Sequence, residues 1–197
     1  MKFNLKGKNL FAEKAAEQIA ADMVVNVVEE TKAAIRVLVV RSIREGIAPM
    51  EIARMMRSLL GMNSLQMQGA LNYRKTLIKL GHPPEKVQKL LEKYTAKKIK
   101  QRTETIARTE VMTALNRGKL AGWLQAQEKG LLDPWATKKW LTPFDERTCP
   151  ICGAVNGQEV LLNKSFQLRA SERMMPPAHP RCRCTAVVNP DGLKRLK

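Results

Sequence analysis

The stretch PEKVQKLLEKYTAKKIKQRTETIARTEVMTALNRGKLAGWLQAQEK, residues 84–129, decides the architecture. Pro84 suits the first position of a helix, where its missing N–H would have no partner anyway. No further proline follows, and Ala, Leu, Lys, Glu and Gln dominate, all good helix formers. Gly130 is a natural stop. One helix over about 84–129 would run about 68 Å at 1.5 Å per residue. If the helix is interrupted, Gly118 or Gly122 is the place.

Upstream, the pattern stays helical. A first helix is expected from about Asn9 to Glu45, with Gly46 ending it. Its valines (Val24, Val25, Val27, Val28, then Val37 to Val40) favour strands, but period-two alternation is missing and the flanks are rich in Ala and Glu. Pro49 opens a piece over Met50 to Leu60, and Gly61 ends it. The next helix should start at an Asn63-Ser64 cap and reach Leu80, before Gly81-His82-Pro83-Pro84 breaks it. Downstream, composition shifts at Asp133. Trp140 to Thr142 and Glu159 to Leu162 read as two short strands flanking a turn. Trp123, Trp135 and Trp140 are expected to supply the core of this part. The predicted fold is mainly α. An elongated helical region (1–130) leads into a small C-terminal α+β Cys/His metal-knuckle module (131–190) and a basic tail (191–197). Leu193 to Lys197 should fray.

The chain has 197 residues, of which 44% are hydrophobic, so wholesale disorder is excluded. Its 35 basic and 18 acidic residues give a formal charge of +17. Such an excess favours a polyanionic partner, nucleic acid or an acidic membrane surface. The apolar run from Val24 to Val40 is broken by Asn26, Glu29, Glu30, Lys32 and Arg36, so no transmembrane span is expected. The N-terminus lacks a secretory signal. In a reducing cytosol, four cysteines point to metal before disulfides.

The charge is concentrated. Residues 71–140 hold 16 basic against 6 acidic groups. Lys86, Lys89, Lys93, Lys97 and Lys100 recur at spacings of 3, 4, 4 and 3. At 100° per residue they share an arc of about 80° on one helix face. Val87, Leu91 and Tyr94 fall opposite, so the lysines should look outward. Five like charges over about 20 Å repel one another unless something negative lies alongside. A phosphate backbone fits that need without sequence readout. The alternative is a solvated helix face. No aromatics interleave, which argues against a single-strand stacking platform.

All the cysteines lie close together: Cys149, Cys152, Cys182 and Cys184, with His179 just before the second pair. The pattern is C-x2-C, a 26-residue gap, then H-x2-C-x-C. A C-x2-C turn brings two sulfurs to one side at tetrahedral separation, and Pro150 and Gly153 suit it. Five candidates compete for four positions of a structural zinc. Such a site would stabilise a module too small to fold on its apolar core alone. The other readings are buried or redox-active thiols, a disulfide, or a catalytic metal. A catalytic metal needs an open position and a nearby acid or base. No P-loop, dinucleotide fingerprint, Ser/His/Asp order or metallohydrolase helix appears, so no catalytic residue is assigned.

Three phrases stand in order: Arg102-Thr103-Glu104-Thr105-Ile106-Ala107-Arg108-Thr109-Glu110-Val111 with Ala114, Asn116 and Gly118; Trp140-Leu141-Thr142-Pro143, Asp145 to Cys152 and Asn156-Gly157; and Pro176 to Cys184. Together they resemble the Mu F-type phage head morphogenesis (minor capsid) family over roughly residues 85–190. The resemblance implies a minor head protein of a tailed phage rather than an enzyme. It implies a place inside the capsid near the portal vertex, after assembly in the host cytoplasm. The implied partners are portal or major capsid protein and packaged DNA, with no membrane; a homo-oligomer around the portal fits. From the residues themselves, Arg102, Glu104, Arg108 and Glu110 set opposite charges along a helix, with Ile106 and Leu115 suited to a core face. These charges form either a surface ladder or pairs with the Cys/His module. The competing functions are a zinc-containing DNA-binding regulatory protein and a small zinc-supported nuclease.

Overall fold

The computed structural model describes residues 29–143 and 145–190. The expected first helix therefore lies outside the described residues over 9–28, as does the tail 191–197.

Three helices, α1 (Glu29–Glu45), α2 (Pro49–Met56) and α3 (Ser64–Lys79), pack against the 45-residue α4 (Pro84–Glu128). The valine run in α1 is helical: Leu38 packs against the core, and Ile35 and Val39, one turn apart, are fully buried. Val37 between them is 66% exposed. Helix α3 begins with a reciprocal cap. The Asn63 side chain accepts from the Gln66 N–H at 2.9 Å, and the Asn63 N–H donates to Gln66 Oε1 at 3.1 Å. Gln66 also donates to the Lys98 carbonyl of α4 at 3.2 Å, and Tyr73 stacks on Tyr94 with ring centroids 4.9 Å apart. The two helices come close at Gly69, where a β-carbon would sit 2.9 Å from the Tyr94 hydroxyl.

The first core cluster joins Ile35 and Val39 of α1, Ile52, Ala53 and Met56 of α2, Leu60, and Ala107, Val111 and Ala114 of α4. Two turns further on, α4 contributes Leu120 to a second cluster with Trp140, Cys152, Val155, Phe166, Met175, Cys182, Cys184 and Ala186. Helix α4 is thus one spine for both. It runs unbroken through Gly118 and Gly122, as the single helix expected over about 84–129. The roughly 1 kcal/mol cost of a helical glycine is offset by packing on either side. Leu115 is not a core residue but 40% exposed, because it points about 100° away from Ala114. Gly130 closes the helix in the left-handed region, at φ 70°.

The second part holds β1 (Thr137–Leu141), α5 (Pro150–Val155), β2 (Glu159–Leu161), β3 (Phe166–Leu168), β4 (Ser171–Arg173) and β5 (Thr185–Asn189). A three-stranded antiparallel sheet has the order β2-β1-β5, with Trp140 opposite Ala186 and Lys139 opposite Glu159. A separate hairpin pairs β3 with β4. Trp140 is fully buried and meets Phe166 edge-on at 5.2 Å, while Trp123 packs against the same cluster. Trp135 departs from expectation and is 55% exposed. It sits in the turn before β1, where its N–H bonds to Asp133 Oδ1 at 2.9 Å and the ring is left outside. Among the described residues, no helix is long and apolar enough to cross a membrane.

Candidate metal centre and basic helix face

Cys149 caps the N-terminus of α5. Its sulfur lies 3.4 Å from the Cys152 N–H, and Pro150 takes the first helical position. One turn of helix therefore brings Cys152 back beside Cys149. The second group comes from the segment between β4 and β5. Arg181 adopts φ 63°, a left-handed turn in which the Cys182 N–H bonds to the His179 carbonyl at 3.1 Å.

Helix α4 holds that segment in place. The Arg181 N–H donates to Thr109 Oγ1 at 3.1 Å, and Asn116 Nδ2 donates to the Cys184 carbonyl at 3.4 Å. Thr185 donates to Asn116 Oδ1 at 2.9 Å, and Lys119 donates to the Thr185 hydroxyl at 2.8 Å. On the other flank, Asn156 Oδ1 accepts from both the N–H and the hydroxyl of Thr142. A two-pronged Arg183–Asp145 pair ties the loop before Cys149 to the Cys182/Cys184 segment.

The five expected ligands gather as two overlapping triads. Cys149 Sγ is 3.1 Å and Cys152 Sγ 3.3 Å from His179 Nε2, and Cys152 Sγ is 3.6 Å from Cys182 Sγ. Two triads share Cys152: one with Cys149 and His179, the other with Cys182 and Cys184. All four cysteines are free thiols, and 3.6 Å is far beyond an S–S bond. In a tetrahedral zinc site, ligand atoms would stand about 3.6 Å (N to S) or about 3.8 Å (S to S) apart. The three distances above lie within about half an ångström of those values.

The electrostatics suit a cation. Hydrogen bonding from Cys184, then backbone N–H groups of Cys184 and Ala178, bring the Cys182 thiol down to about 5 against the pull of burial. Burial opposes ionisation of Cys149, but the Cys152 N–H and neighbouring side chains bring it below its usual value. Burial pushes Cys152 up to about 12, and the neighbouring Cys182 together with burial pushes Cys184 up. Each pair thus holds one thiol that is eased toward ionisation and one that is held back from it, and a divalent cation would displace the protons that remain. His179 Nδ1 is 2.8 Å from the Pro180 carbonyl, so it takes the ring proton and leaves the Nε2 lone pair facing the sulfurs. Burial opposes protonation of this ring, but Pro180 and Cys149 raise its pKa. The donor set and its supports can hold a metal ion.

The Arg183 guanidinium holds the Asp145 carboxyl far below the usual range, with help from the Arg147 N–H. Asp145→Asn is expected to lower the melting temperature at pH 7, because it removes the charge that ties this loop down. A depressed carboxyl adds stability above its unfolded value, near pH 4, and loses it as pH falls further. The gap between parent and variant should therefore shrink below about pH 4. A gap independent of pH would assign the effect to lost packing. Asp145 is a third exposed, so solvent screening moderates the effect.

The five lysines of the basic row, Lys86, Lys89, Lys93, Lys97 and Lys100, are all exposed on α4. Val87 is buried opposite them, and Leu91 and Tyr94 are half-buried. Of the helix charges, Glu110 is buried at 1% exposure and Arg108 is exposed. Glu104 is paired at 3.9–4.0 Å with Arg57, Lys100 and Arg181, the last carried by the Cys/His segment. Arg102 donates to the Gly61 carbonyl at 3.1 Å.

A family model described as Phage Mu protein F like protein matches residues 33–187. The chain belongs to this Mu F-like family. The match spans α1 through most of β5, including the Cys/His cluster and the helix that holds it. No curated protein and no solved structure matches. The family places the chain among phage head morphogenesis proteins. It also gives the phrases along α4 a structural setting, since Thr109 and Asn116 bind the Cys/His segment directly. Sequence reasoning assigned those two residues no role. Asn116 stood inside the recognised phrase, but nothing local connects it to a carbonyl 68 residues away.

Proposed function

We propose that this Mu F-like protein is a non-enzymatic minor component of a tailed-phage head. It sits inside the capsid near the portal and holds packaged DNA through the lysine face of α4. The observation that carries this reading is the row of five exposed lysines on one helix, with the apolar residues turned to the other side. Contacts from such a row go to phosphates and position DNA without reading its sequence. The Cys/His cluster supports a structural zinc held by Cys149, Cys152 and His179, with the fourth position taken from the Cys182/Cys184 pair. When bound, zinc would supply a fixed tetrahedral crosslink. The site's own residues then set the geometry: Pro180 orients the His179 ring, and Thr109 and Asn116 hold the segment on α4. The Cys/His module would thus brace the far half of the basic helix. A zinc-containing regulatory protein would share the DNA contacts, and a small nuclease would share the metal. Localisation separates the first of these, and metal-dependent cleavage of plasmid would reveal the second.

The test has two arms. Mass spectrometry of purified particles before and after DNA ejection should find the protein in the virion. Reversing Lys89, Lys93 and Lys97 to glutamate should weaken duplex binding by at least tenfold at moderate salt and leave the melting temperature nearly unchanged. Absence from particles would overturn the head assignment. Unchanged binding would remove the lysine row from the account.

A further inference from the structure

At the C-terminal end of the lysine row, α4 and the end of α2 enclose an open cleft of about 440 Å³, lined by Arg57, Ala96, Lys97, Ile99 and Lys100. Beside it stands Glu104, only 18% exposed. Cations from three separate parts of the chain converge on this one carboxylate. Arg57 Nη2 follows α2 and is 3.9 Å away. Lys100 Nζ of α4 and Arg181 Nη2 of the Cys/His segment are each 4.0 Å away. These separations exceed hydrogen-bond length, so the carboxylate gathers the three groups without using up their donors. All three remain substantially exposed, at 40%, 57% and 55%. Lys97, in the lining, adds a fourth cation to the cleft.

Gathering like charges is costly unless a further anion shares the site. Two guanidiniums arriving from different elements offer forked donors suited to phosphate oxygens. Ala96 and Ile99 add an apolar floor against which a sugar could rest. The lysine row leads into this place. We propose that the cleft seats one phosphodiester of the DNA backbone, held by Arg57 and Arg181 with Lys97 and Lys100, and that Glu104 positions the cations. The seat rests on the reading of the lysine row as a DNA track. It adds a defined anchor built from residues outside that row. The left-handed turn at Arg181 and its N–H bond to Thr109 fix the Arg181 backbone beside α4.

The experiment measures binding of the full-length protein to a fluorescent random-sequence DNA duplex by anisotropy, across a salt titration. Each phosphate contact contributes about 0.9 to the slope of log affinity against log salt. Arg57→Gln and Arg181→Gln should each lower affinity several-fold and flatten the slope by about one. Glu104→Gln keeps the shape but releases the three cations that the carboxylate gathers, so it should lower affinity several-fold although it takes a negative charge away from the DNA. A gain in affinity would show that Glu104 only competes with the phosphate and would remove it as the positioning residue. Lys89→Gln serves as the comparison within the row, and melting temperatures confirm that each variant folds. If both arginine variants bind like the parent while Lys89→Gln binds more weakly, the seat is overturned and the lysine track stands. If the parent shows no salt-dependent affinity for the duplex, the DNA reading itself fails and the seat falls with it.

Discussion

Purified protein is expected to carry one zinc per chain, and stripping that zinc with a strong chelator should unfold residues 131–190 while most of the helical circular dichroism survives. The separation follows from the two core clusters. The helical cluster draws on α1, α2 and the stretch of α4 around Val111, and it contains no cysteine. The second cluster counts Cys152, Cys182 and Cys184 among its own buried members, with Cys149 packed on its edge. Without a cation, two lowered thiols and two raised thiols are crowded together, two of them against the His179 ring, and their mutual charges oppose burial. A bound zinc would replace protons by bonds to these residues and would tie α5 to the segment before β5. Isolated zinc-finger peptides gain about 10–16 kcal/mol from such binding. Here the module also has Trp140 and Phe166, so metal should be worth several kcal/mol rather than the whole of its stability. The loss should appear as deprotected amides in β1, β2 and β5 by hydrogen exchange. Metal-free protein whose melting and exchange are indifferent to chelator would show that the thiols form a packed cluster and nothing more.

Local rules carried much of the fold into view. The Asn63 cap, the stop at Gly130 and the outward lysine row each depend on residues within one or two turns, and the structure places them where helical periodicity does. The Cys/His cluster was legible for a related reason. Two short ligand spacings need only a turn each, and the chemistry of sulfur and imidazole says why they should meet. What stayed hidden depends on distant pairs or on side-chain direction. For Glu104 the sequence left open a ladder along the helix or pairing with the Cys/His module; the structure brings it Arg181 of that module and also Arg57, which nothing local announces. Thr109 and Asn116 looked like ordinary polar helix residues until the segment at 181–185 lay across them. Lys138 reads as a surface residue between Thr137 and Lys139, yet it is fully buried. Strand alternation puts it on the same side as Trp140, where its amine meets the Leu162 carbonyl at 2.8 Å and lies over the Phe166 ring. Burial pulls that amine down to about 8. No composition rule anticipates a lysine in such a position, because the compensating carbonyl and ring come from elsewhere in the module.

Trp140→Ala should be the most damaging single substitution in the Cys/His module, at about 3–5 kcal/mol. Trp140 is fully buried in the middle strand of the sheet, edge-on to Phe166 and in one cluster with the three buried cysteines. Truncation would open a cavity against Phe166 and Cys184 that rigid strands on both sides cannot close, so the transfer and cavity costs add. Trp140→Phe should cost clearly less. It keeps a ring against Phe166 and leaves a smaller cavity. Trp123, half-buried against the same cluster, can report the transition by fluorescence, while circular dichroism follows the helices. In Trp140→Ala the Trp123 transition should come at lower denaturant than the helical one. Added zinc should recover part of the difference, because a ligand bound only to the folded module stabilises it by mass action. Equal losses for the alanine and phenylalanine variants would show that cavity formation is not the cause. A Trp123 midpoint unmoved in the alanine variant would show that the sheet packing does not support the metal centre at all.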